Sequence, residues 1–375
     1  MKKLATVVAI SIAIIIVVPS VVWSACDFSI GFEADDLIAP KMIKEDIISE
    51  RPDINEGTFP INISMSWSIT EAIYAGAGGA LRLSIENNNP FKLLHIREFG
   101  IIWEDGTSTH RACNVVVHPK ENTLVGLLLF DAPCTLGKHE YQIEIKTSSG
   151  NIKSKSHDES GVHIAEISPL LNAMDMKIAT NNRALYNKVN SLVNFEVCMD
   201  VSRSIQEKYQ GEYNILHVIE VFEWIRSNIP YVEEPPNEDY WQSAEETLKL
   251  RTGDCEDHAI LMASIIGALG GNARVNIVKE HAFSTVFIGT QIEHMIEANE
   301  AIASYYGMSA SELPTAYLVD DTGYWLVTDT TGFPYAGGIP ARSGYTSIDR
   351  DWAIESKYLH TVDATGSTQT IIFHF

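Results

Sequence analysis

Arg251-Thr252-Gly253-Asp254-Cys255-Glu256-Asp257-His258-Ala259-Ile260-Leu261-Met262-Ala263-Ser264-Ile265-Ile266-Gly267-Ala268-Leu269 decides how the rest of the chain is read. Beyond Cys255 the run is apolar almost all round, which predicts a buried helix, and Gly270-Gly271 is a natural C-terminal stop. A thiol is thereby placed at a helix N-terminus, where unsatisfied N–H groups favour negative charge by ~0.3–1 kcal/mol, at best ~2. The thiolate is the nucleophilic form, and a free cysteine with a pKa of about 8.5 is mostly protonated at neutral pH. Lowering that pKa by about three units takes ~4 kcal/mol. The helix end cannot supply this alone, so the chemistry calls for an imidazolium on a neighbouring element, itself held by a carboxylate or amide.

Working outward, three histidines compete for that role. His258 lies on the same helix nearly one turn on, poorly placed to face the thiol with a third group behind it. His294 falls in an acidic stretch of helical composition, Gln291 to Tyr305, which reads as a solvated insertion. His281 opens a strand-like run through Gly289, after a first strand at Val275 to Val278. Asp329 closes a third apolar strand, Tyr317 to Thr328, and is followed by the turn Thr330-Thr331-Gly332. Cys255, His281 and Asp329 are therefore the expected nucleophile, base and orienting acid. The Cys255 N–H is the natural oxyanion donor at a helix start, and Trp241 or Gln242 the side-chain candidates for a second. Upstream, Ile215, Ile219, Phe222 and Ile225 mark an amphipathic helix that Ile229-Pro230 ends, before a polar connection through Glu233-Glu234-Pro235-Pro236.

The block Trp241-Gln242-Ser243-Ala244-Glu245-Glu246-Thr247-Leu248, followed by Gly253-Asp254-Cys255-Glu256-Asp257-His258-Ala259, resembles the transglutaminase-like superfamily, its prokaryotic members and the related bacterial periplasmic cysteine proteinases in particular. The resemblance runs from about Asn214 to Gly332, roughly a third of the chain, with a longer gap between His281 and Asp329 than is usual. It implies an α+β, papain-like/transglutaminase-like core in which the Cys-bearing helix packs on an antiparallel sheet. It further implies acyl transfer through Cys255, His281 and Asp329: hydrolysis of peptide or amide bonds in a protein or peptide substrate, or cross-linking to an amine. A surface interaction protein that no longer turns over is the alternative from another class. Some relatives bind calcium through carboxylates. Here Glu256 and Asp257 read instead as a first-turn helix carboxylate and a partner for Arg251 or Arg274, so no metal and no cofactor is expected.

The remaining sequence frames that core. Residues 1–25 read as a signal peptide or membrane anchor: Lys2 and Lys3 precede an apolar run from Leu4 to about Val22, long enough to span a bilayer with the basic flank inside. Ser24-Ala25-Cys26 hints at lipidation of Cys26. All of these readings put the bulk of the chain outside the cell membrane. After a lead-in over 26–57, residues 58–165 read as an all-β, Ig-like sandwich. Leu81, Leu83 and Ile85 alternate with polar residues, as do Tyr141, Ile143 and Ile145, with turn signals between. It carries no catalytic constellation and reads as a structural spacer or adhesion module, with substrate docking as the alternative. Asn62-Ile63-Ser64 is a formal glycosylation sequon, and Ser148 to Ser160 a polar boundary or exposed hairpin. The catalytic part then occupies 166–375. Of five cysteines, Cys113 and Cys134 are close in sequence in the β-like region, where an oxidising compartment would allow a disulfide, and Cys198 sits in an apolar helical stretch as a small hydrophobe. A net charge of −22 with no basic run excludes phosphate-led nucleic-acid binding.

Overall fold

The structure, a computed structural model, describes residues 62–366 apart from 71–72, 150–151, 160, 170–176, 180–181, 235–238, 346–351, 355 and 357. Its first part is built of strands β1 (Ile63–Ile69), β2 (Ile73–Tyr74), β3 (Gly78–Asn87), β4 (Leu94–Trp103), β5 (Ser108–Val117), β6 (Asn122–Asp131), β7 (Gly137–Ser149), β8 (Ile152–Glu159) and β9 (His163–Ser168). One sheet has the order β1-β3-β6, and the other the order β2-β9-β7-β4-β5, with β8 attached to β7. Leu81, Leu83 and Ile85 of β3 share a core with Ile96, Phe99 and Ile101 of β4 and with Ile143 and Ile145 of β7. The period-2 alternation thus produces a sandwich. Within the polar stretch Ser148 to Ser160, β8 (Ile152–Glu159) pairs antiparallel with β7 and so belongs to the second sheet.

The opposite face of the three-stranded sheet is also covered. Ala80 of β3 and Leu127 of β6 belong to the core of the C-terminal part, with Leu124 and Leu129 packed against it. A bulge lets β6 present apolar side chains both ways: Leu83 pairs with Gly126 and Ser84 with Leu124, leaving Val125 as the extra residue, and Gly126 sits at φ 151°. A strand sheathed on both faces departs from the half-buried strands of a free-standing spacer.

The second part comprises β10 (Lys177–Ala179), α1 (Arg183–Leu192), α2 (Met199–Lys208), α3 (Ile215–Asn228), α4 (Ala244–Leu250), α5 (Cys255–Ala268), β11 (Ala273–Val278), β12 (His281–Gly289), α6 (Ile292–Tyr305), β13 (Tyr317–Asp320), β14 (Gly323–Val327), β15 (Ser343–Tyr345), β16 (Trp352–Ile354) and β17 (Tyr358–Asp363). The main sheet runs β10-β17-β11-β12-β14-β13, antiparallel except for the β10–β17 pair. Ile260, Ile265 and Ile266 of α5 pack with Val275 and Val286 of the sheet and with Val218 and Phe222 of α3 in one core. That all-round burial is what the apolar run after Cys255 demands. Asn214 caps α3 by accepting from the Leu216 N–H, and the helix ends before Pro230 as the sequence requires.

Several expectations change. The single strand read over Tyr317 to Thr328 is a hairpin, because Asp320 accepts from the Thr322 N–H and turns the chain before Gly323. Cys113 and Cys134 are free thiols, Cys113 partly buried on β5 and Cys134 exposed beyond β6. Cys198 is buried, and burial pushes its thiol up to about 12. Among the described residues no helix is long and apolar enough to cross a membrane. The anchor expected at 1–25 and Cys26 lie outside the described residues.

Candidate active site

Cys255 is the first residue of α5, and its backbone approach is shaped by the residues before it. Asp257, one turn on, accepts from the Asp254 N–H (3.3 Å) and from the Gln242 N–H (2.7 Å), so this carboxylate caps its own helix and ties down the segment before α4. Gly253 has no room for a side chain, since an added Cβ would lie 2.7 Å from that of Asp257. Neither Arg251 nor Arg274 partners these acids, contrary to the sequence reading. Arg274 is held by Asp320 (2.5 Å) and Asp363 (2.6 Å), and Arg251 lies over the Trp224 ring.

His281 is delivered by the two-residue Lys279–Glu280 turn between β11 and β12, which pairs Val278 with His281 and holds Glu280 at φ 57°. Its Nε2 lies 2.8 Å from Asp329 Oδ2, and both residues are buried. Asp329 is saturated. Oδ2 also accepts from the Ala341 N–H (2.7 Å), and Oδ1 accepts from the Thr331 N–H (3.0 Å) and hydroxyl (2.8 Å). Burial works to raise this carboxyl, but the facing His281 and these donors hold it below the usual carboxylate range. The backbone N–H of Ala282, the residue after His281, is directed at the Cys255 sulfur, which places the thiol against the start of β12. The structure therefore brings all three sequence-predicted residues to one locus.

The thiol itself donates to Glu256 Oε2 at 3.0 Å. Burial first, and then the Glu256 carboxylate, push Cys255 well above the ordinary thiol value, with the Ala282 N–H opposing. Asp254, Cys255 and Glu256 offer ligand atoms within 4.8 Å of one another. Asp254 is lifted to about 8 by burial and by the Glu256 and Asp257 carboxylates, and Asp257 to about 6, chiefly by burial.

The two oxyanion candidates separate. The Trp241 indole N–H donates to Asp239 (2.8 Å) and its ring lies 3.7 Å from the Lys188 ammonium, so this side chain is engaged elsewhere. Gln242 keeps a buried amide oxygen without a hydrogen-bond partner among the described residues. His258, set aside on sequence grounds, is buried with Nδ1 2.8 Å from the Thr330 hydroxyl, immediately after Asp329. Burial, with Arg226 adding to it against Asp329, lowers His258 to about 4. Nothing in the local sequence marks that contact, because its two halves are far apart in the chain. His294, expected to be solvated, is partly buried, with a covered Nδ1.

Residues 200–307 match the Transglutaminase-like superfamily, a span that includes Cys255 and His281 and stops before Asp329. This is the resemblance carried by the Cys255 block. No curated protein matches the chain. Among solved structures, a candidate cysteine protease from Cytophaga hutchinsonii is 12% identical and has a TM-score of 0.25, covering 84% of this chain and 92% of its own. A candidate protease from Parabacteroides distasonis is 9% identical and has a TM-score of 0.24, covering 60% of this chain and 64% of its own.

Proposed function

We propose that this transglutaminase-like chain is a cysteine acyltransferase acting outside the cell membrane, hydrolysing peptide or amide bonds in a protein substrate through Cys255, His281 and Asp329. The observation that carries the reading is the buried His281–Asp329 pair at 2.8 Å with the next backbone N–H directed at the Cys255 sulfur. Asp329 takes Nε2 of His281, so Nδ1 is the nitrogen left to accept the thiol proton. That transfer forms an imidazolium stabilised by the carboxylate behind it. The thiolate then adds to the carbonyl carbon. The oxyanion is met by the Cys255 N–H, free of intrahelical bonds in the first turn, and by the Gln242 side chain. Collapse expels the amine, which takes the proton from His281 and leaves a thioester on Cys255. Water, losing its proton to His281, adds to the thioester; the acid leaves and the thiol is restored. An amine in place of water gives cross-linking by the same first half.

One observation favours a protein without turnover: the resting thiol donates to Glu256 and is held protonated by it. Full-length protein incubated with casein, and separately with casein and a labelled amine, decides between the readings. Peptide release or amine incorporation that disappears in Cys255→Ala supports the enzyme, the product naming the acceptor. No turnover with either acceptor favours the interaction protein, and turnover unchanged by that substitution comes from a contaminant and removes support for the enzyme.

A further inference from the structure

Asp329 opens a loop that returns at Ala341 to bind its own carboxylate, and the underside of that loop is gripped by two arginines. Arg226 of α3 forks between the two parts of the molecule: Nη1 donates to the Thr330 carbonyl (3.0 Å) and Nη2 to the Ser68 hydroxyl of β1 (2.8 Å). Arg82 of β3 donates to the Pro334 carbonyl (3.3 Å) while pairing with Glu223 of α3 (2.6 Å from Nη1 to Oε1). Glu223 in turn accepts from the Tyr306 hydroxyl (2.6 Å), whose oxygen accepts from the Ala336 N–H (3.0 Å). His258 holds the Thr330 hydroxyl from the nucleophile's own helix. Thr330, Pro334 and Ala336 are thus fixed by bonds that include two residues of the sandwich, Ser68 and Arg82.

We infer that Arg226 is a positioning residue for the Asp329 loop, and that the β-sandwich, through Ser68 and Arg82, is a working part of the active site. The geometry gives the reason. Asp329 orients His281 only if its backbone is held, and the carbonyl of the next residue, Thr330, is anchored by a guanidinium whose other nitrogen is fixed in the sandwich. A planar fork does this where a lysine cannot, because one ammonium at the end of a flexible stem does not define two directions. Misplacement of a catalytic group by about 1 Å costs up to ~100-fold in rate. A strand 158 residues away in sequence therefore enters the chemistry by its hydroxyl. This inference rests on the Cys255–His281–Asp329 reading.

The test is the pH dependence of Cys255 alkylation by iodoacetamide in the full-length protein, compared among wild type, Arg226→Gln, Arg226→Lys and Ser68→Ala. Leu83→Ala, in the sandwich core, serves as a variant that loses stability alone. Reactivity at pH about 6 is expected to fall at least about tenfold in both Arg226 variants and in the same direction, by less, in Ser68→Ala. Leu83→Ala lowers the melting temperature and keeps the wild-type profile. Should Arg226→Gln not fold, Arg226→Lys and Ser68→Ala decide. A wild-type profile retained in the folded Arg226 variants and in Ser68→Ala overturns the inference while leaving the catalytic reading intact. A wild type that reacts only as a free thiol, near about 8.5, removes the catalytic reading and this inference with it.

Discussion

At Cys255 opposing influences act on one sulfur. Burial and the Glu256 carboxylate hold the proton on, while the helix N-terminus and the Ala282 N–H favour its loss. Glu256→Gln removes the negative charge and leaves only a neutral amide oxygen to accept from the thiol, so the thiol is expected to ionise about one unit lower, read as a downward shift of the alkylation midpoint. An unchanged or raised midpoint contradicts the assignment of Glu256 as the brake. Asp254 makes a second prediction. Burial and its acidic neighbours raise it from 3.8 to about 8 in the folded protein. The native state therefore binds the extra proton between those values, and the contribution of this group to stability falls as pH rises through that window. Asp254→Asn should melt higher than wild type by a margin that grows from about pH 5 to about pH 8; a constant margin contradicts the account. His258 has the opposite sign: lowered from 6.5 to about 4, it withdraws stability as pH falls through that interval. The placement of Cys255 at a helix start and of His281 at a strand start was legible from sequence, because both are local features. The Thr330–His258 and Thr330–Arg226 contacts were not, since each joins side chains brought near only by tertiary packing.

At the scale of elements, α3 is the axle between the two parts. Its Glu223 faces Arg82 of β3 and its Arg226 faces Ser68 of β1, and both pairs bear on the Asp329 loop. A buried ion pair that loses one partner leaves the other charge uncompensated. Arg82→Ala is expected to lose about 3 kcal/mol in urea unfolding. Adding Glu223→Ala to it should cost less than the two single losses summed, because the orphaned charge goes with the side chain and only the Tyr306 hydroxyl is left to lose its acceptor. Additive losses would show that the two residues act separately. The Tyr317–Val327 hairpin escaped sequence reading because both arms are apolar and aromatic, Tyr317-Leu318-Val319 and Tyr324-Trp325-Leu326-Val327, and the one break, Asp320 to Gly323, is only a tight turn. The stretch read as helical, Gln291 to Tyr305, holds the helix Ile292–Tyr305, but its anchorage was not legible: Tyr305 donates to Glu220 (2.8 Å) and Tyr306 to Glu223, which docks its end on α3.

Across the whole molecule, the sandwich and the α/β part share apolar surface as well as charge. The Leu124 to Phe130 run of β6, apolar on both faces, carried the sign of two-sided burial. The clean alternation of Leu81, Leu83 and Ile85 pointed instead to a sheet with one wet face. Residues 165–375 expressed alone would uncover the surface that meets Ala80 and Leu127 and leave Glu223 without Arg82. That fragment is expected to bind a hydrophobic dye and to melt about 6–20 °C below the full chain, from a loss of ~3–5 kcal/mol at ~2–4 °C per kcal/mol. A fragment as stable as the full chain would restore the spacer reading. The central claim, an activated Cys255–His281 pair backed by Asp329, is met most directly by one experiment: the pH dependence of iodoacetamide alkylation at Cys255, followed by mass spectrometry in wild type and His281→Ala. Burial and Glu256 raise the resting thiol, so the account requires the His281 imidazolium to outweigh both, and it predicts a wild-type midpoint well below about 8.5 that moves back up in the variant. A midpoint near or above that value in both proteins would contradict it.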